Sequence, residues 1–571
     1  MPTDDHPATA PVSPARPPAR RRPVLFLVVT GVAVVAAVCT LTAAYHYWRA
    51  PDPTPAPADD GHGGVKPQYF RNWPKPDLVL VLSGQQHGYM LPCGCSEPQY
   101  GGLERRYNFL QGLKDRGWPV LALDLGDINQ KHGPAYLQNL QGLLKYRYTM
   151  EALSKMPTRY ADWSRPPEKD RAGPPRFDGY ATVTFGEWET VLPLEQALGA
   201  WALNEPSPRT LSANLINVAD NFPDEIFSLQ VVQAEGSPLK VGVTAVTGPT
   251  VAEKIKDPKV RYPNGSAAKA LTAALKEMDA RQPDLNVLLY QGTLTEAKAC
   301  ARAFPQFQVI LCLTDEDEPP SQPEKVVTGE SGTLIVRVGH KGKHLGVVGI
   351  NRKGQDRPSF ELRYEMVTLD PSLATPKEKI KGHPVLDLME RYTQELKREN
   401  YLARYVQTNH PNQVGQPPNA FPAYVGSEKC QKCHPDAYRI WKASPHSHAY
   451  QTLVDNPRPP ALRQYDPECI VCHTVGFAYK TGFESEQKTP LLKDVGCESC
   501  HGPCGQHVRR PNNEQWHKLI NPWKYRAANE AARMKAIERD LCIHCHDQDN
   551  DVHWTFDKWT RGKIIHMTPK E

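Results

Sequence analysis

Cys430-Gln-Lys-Cys433-His434, Cys469-Ile-Val-Cys472-His473, Cys497-Glu-Ser-Cys500-His501 and Cys542-Ile-His-Cys545-His546 stand in the C-terminal stretch Tyr424–Glu571. Cys-x-x-Cys-His is the attachment signature of a c-type haem. The two thiols form thioethers with the porphyrin vinyl groups, and the adjacent imidazole is placed as proximal iron ligand. Paired Cys-x-x-Cys also builds zinc ribbons and disulfides. Four copies so close together, each closed by His, favour haem over both. The expectation is four covalently bound haem c, on Cys430, Cys433, Cys469, Cys472, Cys497, Cys500, Cys542 and Cys545, with His434, His473, His501 and His546 as proximal ligands.

The chain has 571 residues, which predicts about three or four structural units. Its formal net charge of +5 is nearly balanced and gives no reason to expect nucleic acid. The remaining cysteines, Cys39, Cys93, Cys95, Cys300, Cys312 and Cys504, do not make a disulfide framework.

Residues 1–22 are rich in Pro, Ala and Arg and read as a disordered cytoplasmic tail. Arg20, Arg21 and Arg22 precede an apolar run from Val24 to Tyr45. Such a run spans a bilayer core of about 30 Å, whereas the apolar part of a cleaved signal is about 7–15 residues long. Residues 23–47 are therefore read as a transmembrane signal anchor, with a cleaved signal as the alternative. The arginines keep the tail inside, so the bulk of the chain is expected on the periplasmic side of a bacterial cytoplasmic membrane. Residues 48–74 form a Pro-rich linker.

From 75 to 370 the pattern changes. Leu78-Val-Leu-Val-Leu82 and Val120-Leu-Ala-Leu-Asp-Leu125 read as buried strands. Further strands are expected at Tyr180–Phe185, Leu211–Leu215, Lys240–Val246, Leu285–Tyr290, Gln308–Leu313, Thr333–Val338 and Leu345–Ile350. Helical stretches between most of them predict an α/β layered domain. Residues 371–421 read as a helical linker, with one helix over Val385–Tyr405. Residues 422–571 form the mostly helical, loop-rich haem domain.

The order of pieces in 75–370 resembles the calcineurin-like metallophosphoesterases, specifically the 5′-nucleotidase group. Ser212-Ala-Asn214, Gly342-Lys-His-Leu-Gly346 and Gly101-Gly-Leu-Glu-Arg-Arg106 carry the resemblance. It implies two metals held by carboxylates and imidazoles, yet only His87 and Asp127 of the expected ligands stand. Gln85, Glu187, Trp188, Tyr290 or Gln291, and the segment Cys312–Asp315 occupy the other positions. This part is expected to keep the fold without the chemistry. Cys93 and Cys95 form a Cys-Gly-Cys turn, open to reading as a labile disulfide, a soft metal site, a site of thiol chemistry or two loop cysteines that simply pack or pair. His340 and His344 read as surface residues of a hairpin.

The C-terminal stretch resembles the cytochrome c-554 family of tetrahaem proteins. Tyr424–Cys430, Trp441-Lys-Ala-Ser-Pro-His446-Ser-His448-Ala449, Val495–Pro503 with His507, and Phe556-Asp-Lys-Trp559 with His566 carry that resemblance. It implies His446, His507 and His566 as distal ligands, leaving one iron open unless His448, His517, His544 or His553 closes it. Cys504 stands where the family has glycine and Ser447 where it has alanine. The leading expectation is an electron-transfer protein with redox partner proteins. The alternatives are a small-molecule oxidoreductase acting on a nitrogen or sulfur oxide at an open haem, and a phosphoesterase with a redox domain.

Overall fold

A computed structural model describes residues 69–92, 98–167, 172–201, 207–218, 226–316, 318–328, 331–354, 359–456, 458–547, 550–551 and 554–556. The expected anchor over 23–47, the Cys93–Cys95 turn, His553 and His566 lie outside the described residues. Among the described residues no helix is long and apolar enough to cross a membrane. All of them fall in one unit, His62–Glu571.

Residues 69–370 build two sheets packed face to face. The first runs Ser359–Thr368, His344–Lys353, Leu78–Ser83, Val120–Asp124, Thr182–Thr184, Arg209–Leu211 and Ile226–Phe227. The second runs Glu324–Thr328, Ser331–Val336, Phe307–Cys312, Leu285–Gln291, Val241–Thr247, Leu229–Ala234, Arg159–Asp162 and Arg176–Asp178. Strand residues alternate between faces, which is why both sheets are apolar on both sides. Leu78, Leu80 and Leu82 point between the sheets, onto Val241, Val243, Val287 and Val309. Val79 and Val81 point outward, under helices Leu103–Asp115, Gly142–Ser154 and Pro384–Arg398. Val246, Leu288 and Ile310 do the same under helices Ser266–Arg281 and Leu294–Ala303. The layers are helix, sheet, sheet, helix. Each fully buried aliphatic side chain stabilises them by about 1.5–3 kcal/mol.

The expected strand Leu211–Leu215 ends early. Arg209–Leu211 is extended, and the Asn214 side chain then bonds both the amide and the carbonyl of Thr247, at 2.9 and 2.8 Å. That pairing replaces a strand ladder with a turn. The expected helix Val385–Tyr405 is regular only over Pro384–Arg398, followed by a 3-10 turn at Tyr401–Arg404. Asn400, at φ 48, breaks it between the two.

Beyond Phe421 the helices are short and the apolar core is small. Ile470, Val471, Val475, Phe477, Phe483 and Leu492 pack with Tyr424, Tyr450 and Leu453, and this cluster is completed by Leu137 and Tyr405 from outside the stretch. The seam with the α/β part is polar and ordered. Tyr136 donates to the carbonyl of Phe477 at 2.7 Å and stacks on Tyr479 at 4.5 Å. Lys145 pairs with Glu468, and Gln141 donates to Asp466 at 3.1 Å.

Candidate haem centre

Each of the four motifs winds through about one helical turn. His434 donates its amide to the Cys430 carbonyl at 2.9 Å, and His546 does the same to Cys542 at 2.9 Å. The turn brings the second thiol and the imidazole back beside the first thiol. The second motif sits in helix Pro467–His473, started by Asp466, whose carboxylate accepts from the Glu468 amide at 3.0 Å. The third sits in helix Cys497–His501, which closes on Gly502 at φ 69. A Cβ there would lie 2.6 Å from Asn412 and 2.7 Å from His410.

Three of the four motif imidazoles are oriented through Nδ1. His473 bonds the carbonyl of Ala449 at 2.6 Å, His501 that of Ile520 at 2.9 Å, and His546 the carboxylate of Asp551 at 2.8 Å. A metal-binding His commonly donates its other ring N–H in this way, which fixes the tautomer and leaves Nε2 for the metal.

Two further imidazoles stand opposite motif imidazoles. The His507 ring lies 6.1 Å from that of His434, and the His446 ring 6.0 Å from that of His546. Two metal–imidazole bonds of about 2 Å each, with the ring radii added, put two centroids about 6 Å apart. Burial pushes His446 down to about 4, helped by its neighbours His546 and His473. Burial also lowers His473 and His507. The neutral imidazole is the form with a lone pair to give.

The thiols interlock in space. The sulfur of Cys430 lies beside that of Cys497 and the sulfur of Cys472 beside that of Cys545, with Cys500 near Cys542 and Cys545. The four motifs are therefore neighbours in space in the order first, third, fourth, second. Among the described residues none of the eight motif cysteines forms a disulfide. They open on a cavity of about 2050 Å³ lined also by His434, His446, His473, His501, His507 and His546. Single-ligand pockets are roughly 300–1,000 Å³, so this one has room for more than one large group. Among the described residues no cluster of three or more His, Cys, Asp or Glu side chains is arranged to hold a bare metal ion. The donors frame a hollow instead of closing a tetrahedron. They fit haem.

Residues 429–502 match the family described as cytochrome c554 and c-prime. Cytochrome c-554 of Nitrosomonas europaea is 35% identical over 169 residues, spanning 27% of this chain and 70% of that protein. The chain belongs to the cytochrome c-554 family. Covalently bound haem c is the cofactor this family implies.

The end of the α/β part that forms one wall of the cavity contributes His87, Trp188, Gln130, Lys145 and Lys341. His87 stacks on Trp188 at 3.9 Å and lies 5.0 Å from His340. Its pKa falls well below the usual range through burial, then through His340 and Lys341. Gln85 spends its side chain on Thr314, donating to the carbonyl at 2.9 Å and accepting from the amide at 3.0 Å. Glu189 accepts from the amides of Gly186, Ile128 and Asp127 at 2.9, 2.6 and 3.1 Å. Asp127 is buried beside it, and burial together with Glu189 raises its pKa well above the carboxylate range. Gln85, His87 and Asp127 all have φ near +50°, a backbone strain that is concentrated at functional sites. Gln85 and Glu189 thus have their side chains engaged by protein hydrogen bonds.

The 5′-nucleotidase precursor of Thermus thermophilus is similar to this chain with a TM-score of 0.42 and 20% identity over 58% of it; the chain spans 61% of that protein's length. The SoxB sulfate thiohydrolase of the same organism gives a TM-score of 0.42 and 14% identity, covering 65% of this chain and 68% of that one.

Two expectations change. His344 is buried rather than on the surface, with Nδ1 3.1 Å from the Thr368 hydroxyl. His340 is half-buried, its Nε2 2.5 Å from the Thr314 carbonyl. His344 is backbone-paired on one side only, opposite Thr368, and the pairing with Leu78–Ser83 begins at Gly346. His517 is also engaged, with Nε2 2.5 Å from the Pro511 carbonyl and its ring 5.0 Å from His507. The seam residues Lys145, Gln130, Asp466 and Glu468 were not singled out by their sequence. Asp466-Pro-Glu468 is a helix-start pattern, the one signal that pointed to any of them.

Proposed function

We propose that this chain is a tetrahaem c-type cytochrome carrying electrons between redox partner proteins, anchored by residues 23–47 with its bulk on the periplasmic side. The observation that carries the reading is the pair of imidazole couples, His434 with His507 and His446 with His546. Haem c supplies a one-electron iron couple that needs little rearrangement when both axial positions are filled. His434, His473, His501 and His546 would serve as proximal ligands, and His446 and His507 as distal ones. His566 is proposed for a third iron, from the family pattern. The contiguity of the four attachment sites supports electron transfer over isolated sites. The N-terminal arginines and apolar run support the localisation.

A second reading has one observation in its favour. The ring couples at about 6 Å involve the first and fourth motifs, and among the described residues no such couple includes His473. An iron left open there would make the chain a small-molecule oxidoreductase for a nitrogen or sulfur oxide. Low-temperature electron paramagnetic resonance of the full chain in detergent, before and after nitric oxide, separates the two. All irons low-spin and indifferent to nitric oxide supports the electron carrier. A high-spin signal from one haem that becomes a nitrosyl on reduction supports the enzyme.

A further inference from the structure

The densest polar network between the two parts of the molecule lies at the second attachment site. Lys145, on helix Gly142–Ser154, pairs with Glu468 Oε2 and donates to Gln130 Oε1 at 3.1 Å. Gln130 donates to Glu468 Oε1 at 2.6 Å. Gln141 donates to Asp466 Oδ1 at 3.1 Å and to the Tyr392 hydroxyl at 3.0 Å. Asp466 is 8% exposed, and the side chains of Lys145 and Glu468 are 8% and 18% exposed. Asp466 and Lys145 are thus buried beside the half-buried Glu468, and both carboxylates line the cavity beside Cys469, Cys472 and His473. Asp466 also starts their helix, its carbonyl accepting the Cys469 amide at 3.0 Å.

We propose that the Asp466/Glu468 pair, held across the seam by Lys145, takes up one proton when the haem on Cys469 and Cys472 gains an electron. The α/β part thereby governs the pH dependence of that one centre. The inference rests on the proposed haem at Cys469 and Cys472. The balance is one electron from a one-electron donor to the iron and one proton from water to a carboxylate oxygen, with net charge unchanged. Asp466 Oδ2 accepts none of the bonds above and is the atom on which the proton sits. The charged and titratable groups facing the pair are Lys145, Tyr392 from helix Pro384–Arg398, Tyr405, and Arg463 from the preceding turn. Two like charges sharing one cation in a poorly hydrated place cannot both stay ionised easily. Burial first and Glu468 second raise Asp466 to about 7, so the proton is exchangeable near neutrality.

Spectroelectrochemical titration of the full chain between pH 5.5 and 8.5 tests this. The wave missing from the C469A/C472A variant identifies the centre. Its potential is expected to fall as pH rises, by at most about 59 mV per unit, the one-electron equivalent of a tenfold change. D466N flattens that slope with the other waves unmoved, K145Q shifts its window to higher pH, and K145R restores it. Haem content is measured on every variant. If D466N loses a haem, K145Q and K145R decide. A pH-independent wave in the wild type, or slopes unchanged in variants that retain all their haems, overturns the proposal. Haem content unchanged in C469A/C472A would instead overturn the attachment reading beneath it.

Discussion

The rings of His434 and His507 lie 6.1 Å apart with planes 28° from parallel, although one precedes helix Pro435–Lys442 and the other sits in helix Gly505–Arg509. The same spacing recurs between His446 and His546. Under the proposed function, that spacing gives the first and fourth motifs a distal residue each.

Replacing His507 by Gly is expected to turn one low-spin haem high-spin while leaving haem content unchanged. Resonance spectra quantified against total haem check this. Added imidazole should restore the low-spin signal, because the glycine leaves a gap of about the right size. A variant that stays fully low-spin would show that another residue fills the position.

Glu498 is 2% exposed and accepts three amides, from Val425 at 2.9 Å, Gly426 at 2.7 Å and Cys504 at 2.7 Å. Removing the carboxylate leaves three donors buried without an acceptor, at about 1–3 kcal/mol each before relaxation. Glu498→Ala should lower stability by about 3 kcal/mol or more in denaturant unfolding. Glu498→Gln keeps one acceptor oxygen and should lose about half as much.

Burial pushes His410 down to about 4. The neutral ring accepts the Asn412 amide at 3.1 Å in the folded chain, while the unfolded chain binds a proton near the ordinary value of about 6.5. A depressed folded value means the stability is fully present above about 6.5 and is lost as pH falls toward about 4. The loss expected over that window is about 2–3 kcal/mol. His410→Gln should remove this part of the acid transition, read from melting temperatures at stepped pH.

With Gln85 bonded to Thr314 and Trp188 stacked on His87, added manganese should produce no hydrolysis of p-nitrophenyl phosphate. Gln85→Asp alone should not create it, since Trp188 still covers His87. Metal-dependent turnover in the wild type would revive the phosphoesterase reading.

Much of this architecture was legible in one dimension. Leu78–Leu82 and, apart from the buried Asp124, Val120–Leu125 are apolar because both faces of their sheet are covered. Leu386, Leu388, Met389, Tyr392 and Leu396 recur at helical spacing and all are buried. His344 was misread because a hairpin's first residue is exposed or buried according to what pairs beside it. Here that is Thr368, distant in sequence.

The sequence by itself carried the expectation of covalent haem, because two thiols and an imidazole within five residues form the attachment signature. It also determined the family, through residues 429–502, and the layered nature of the α/β part. Only the tertiary structure decided that His507 faces His434, that His446 faces His546, and that Lys145 reaches Glu468. Those pairings depend on a few ångströms of separation between residues tens to hundreds of positions apart. Spacing along the chain controls geometry only within a helical turn or a strand, and beyond that the packing of the cores sets the distances.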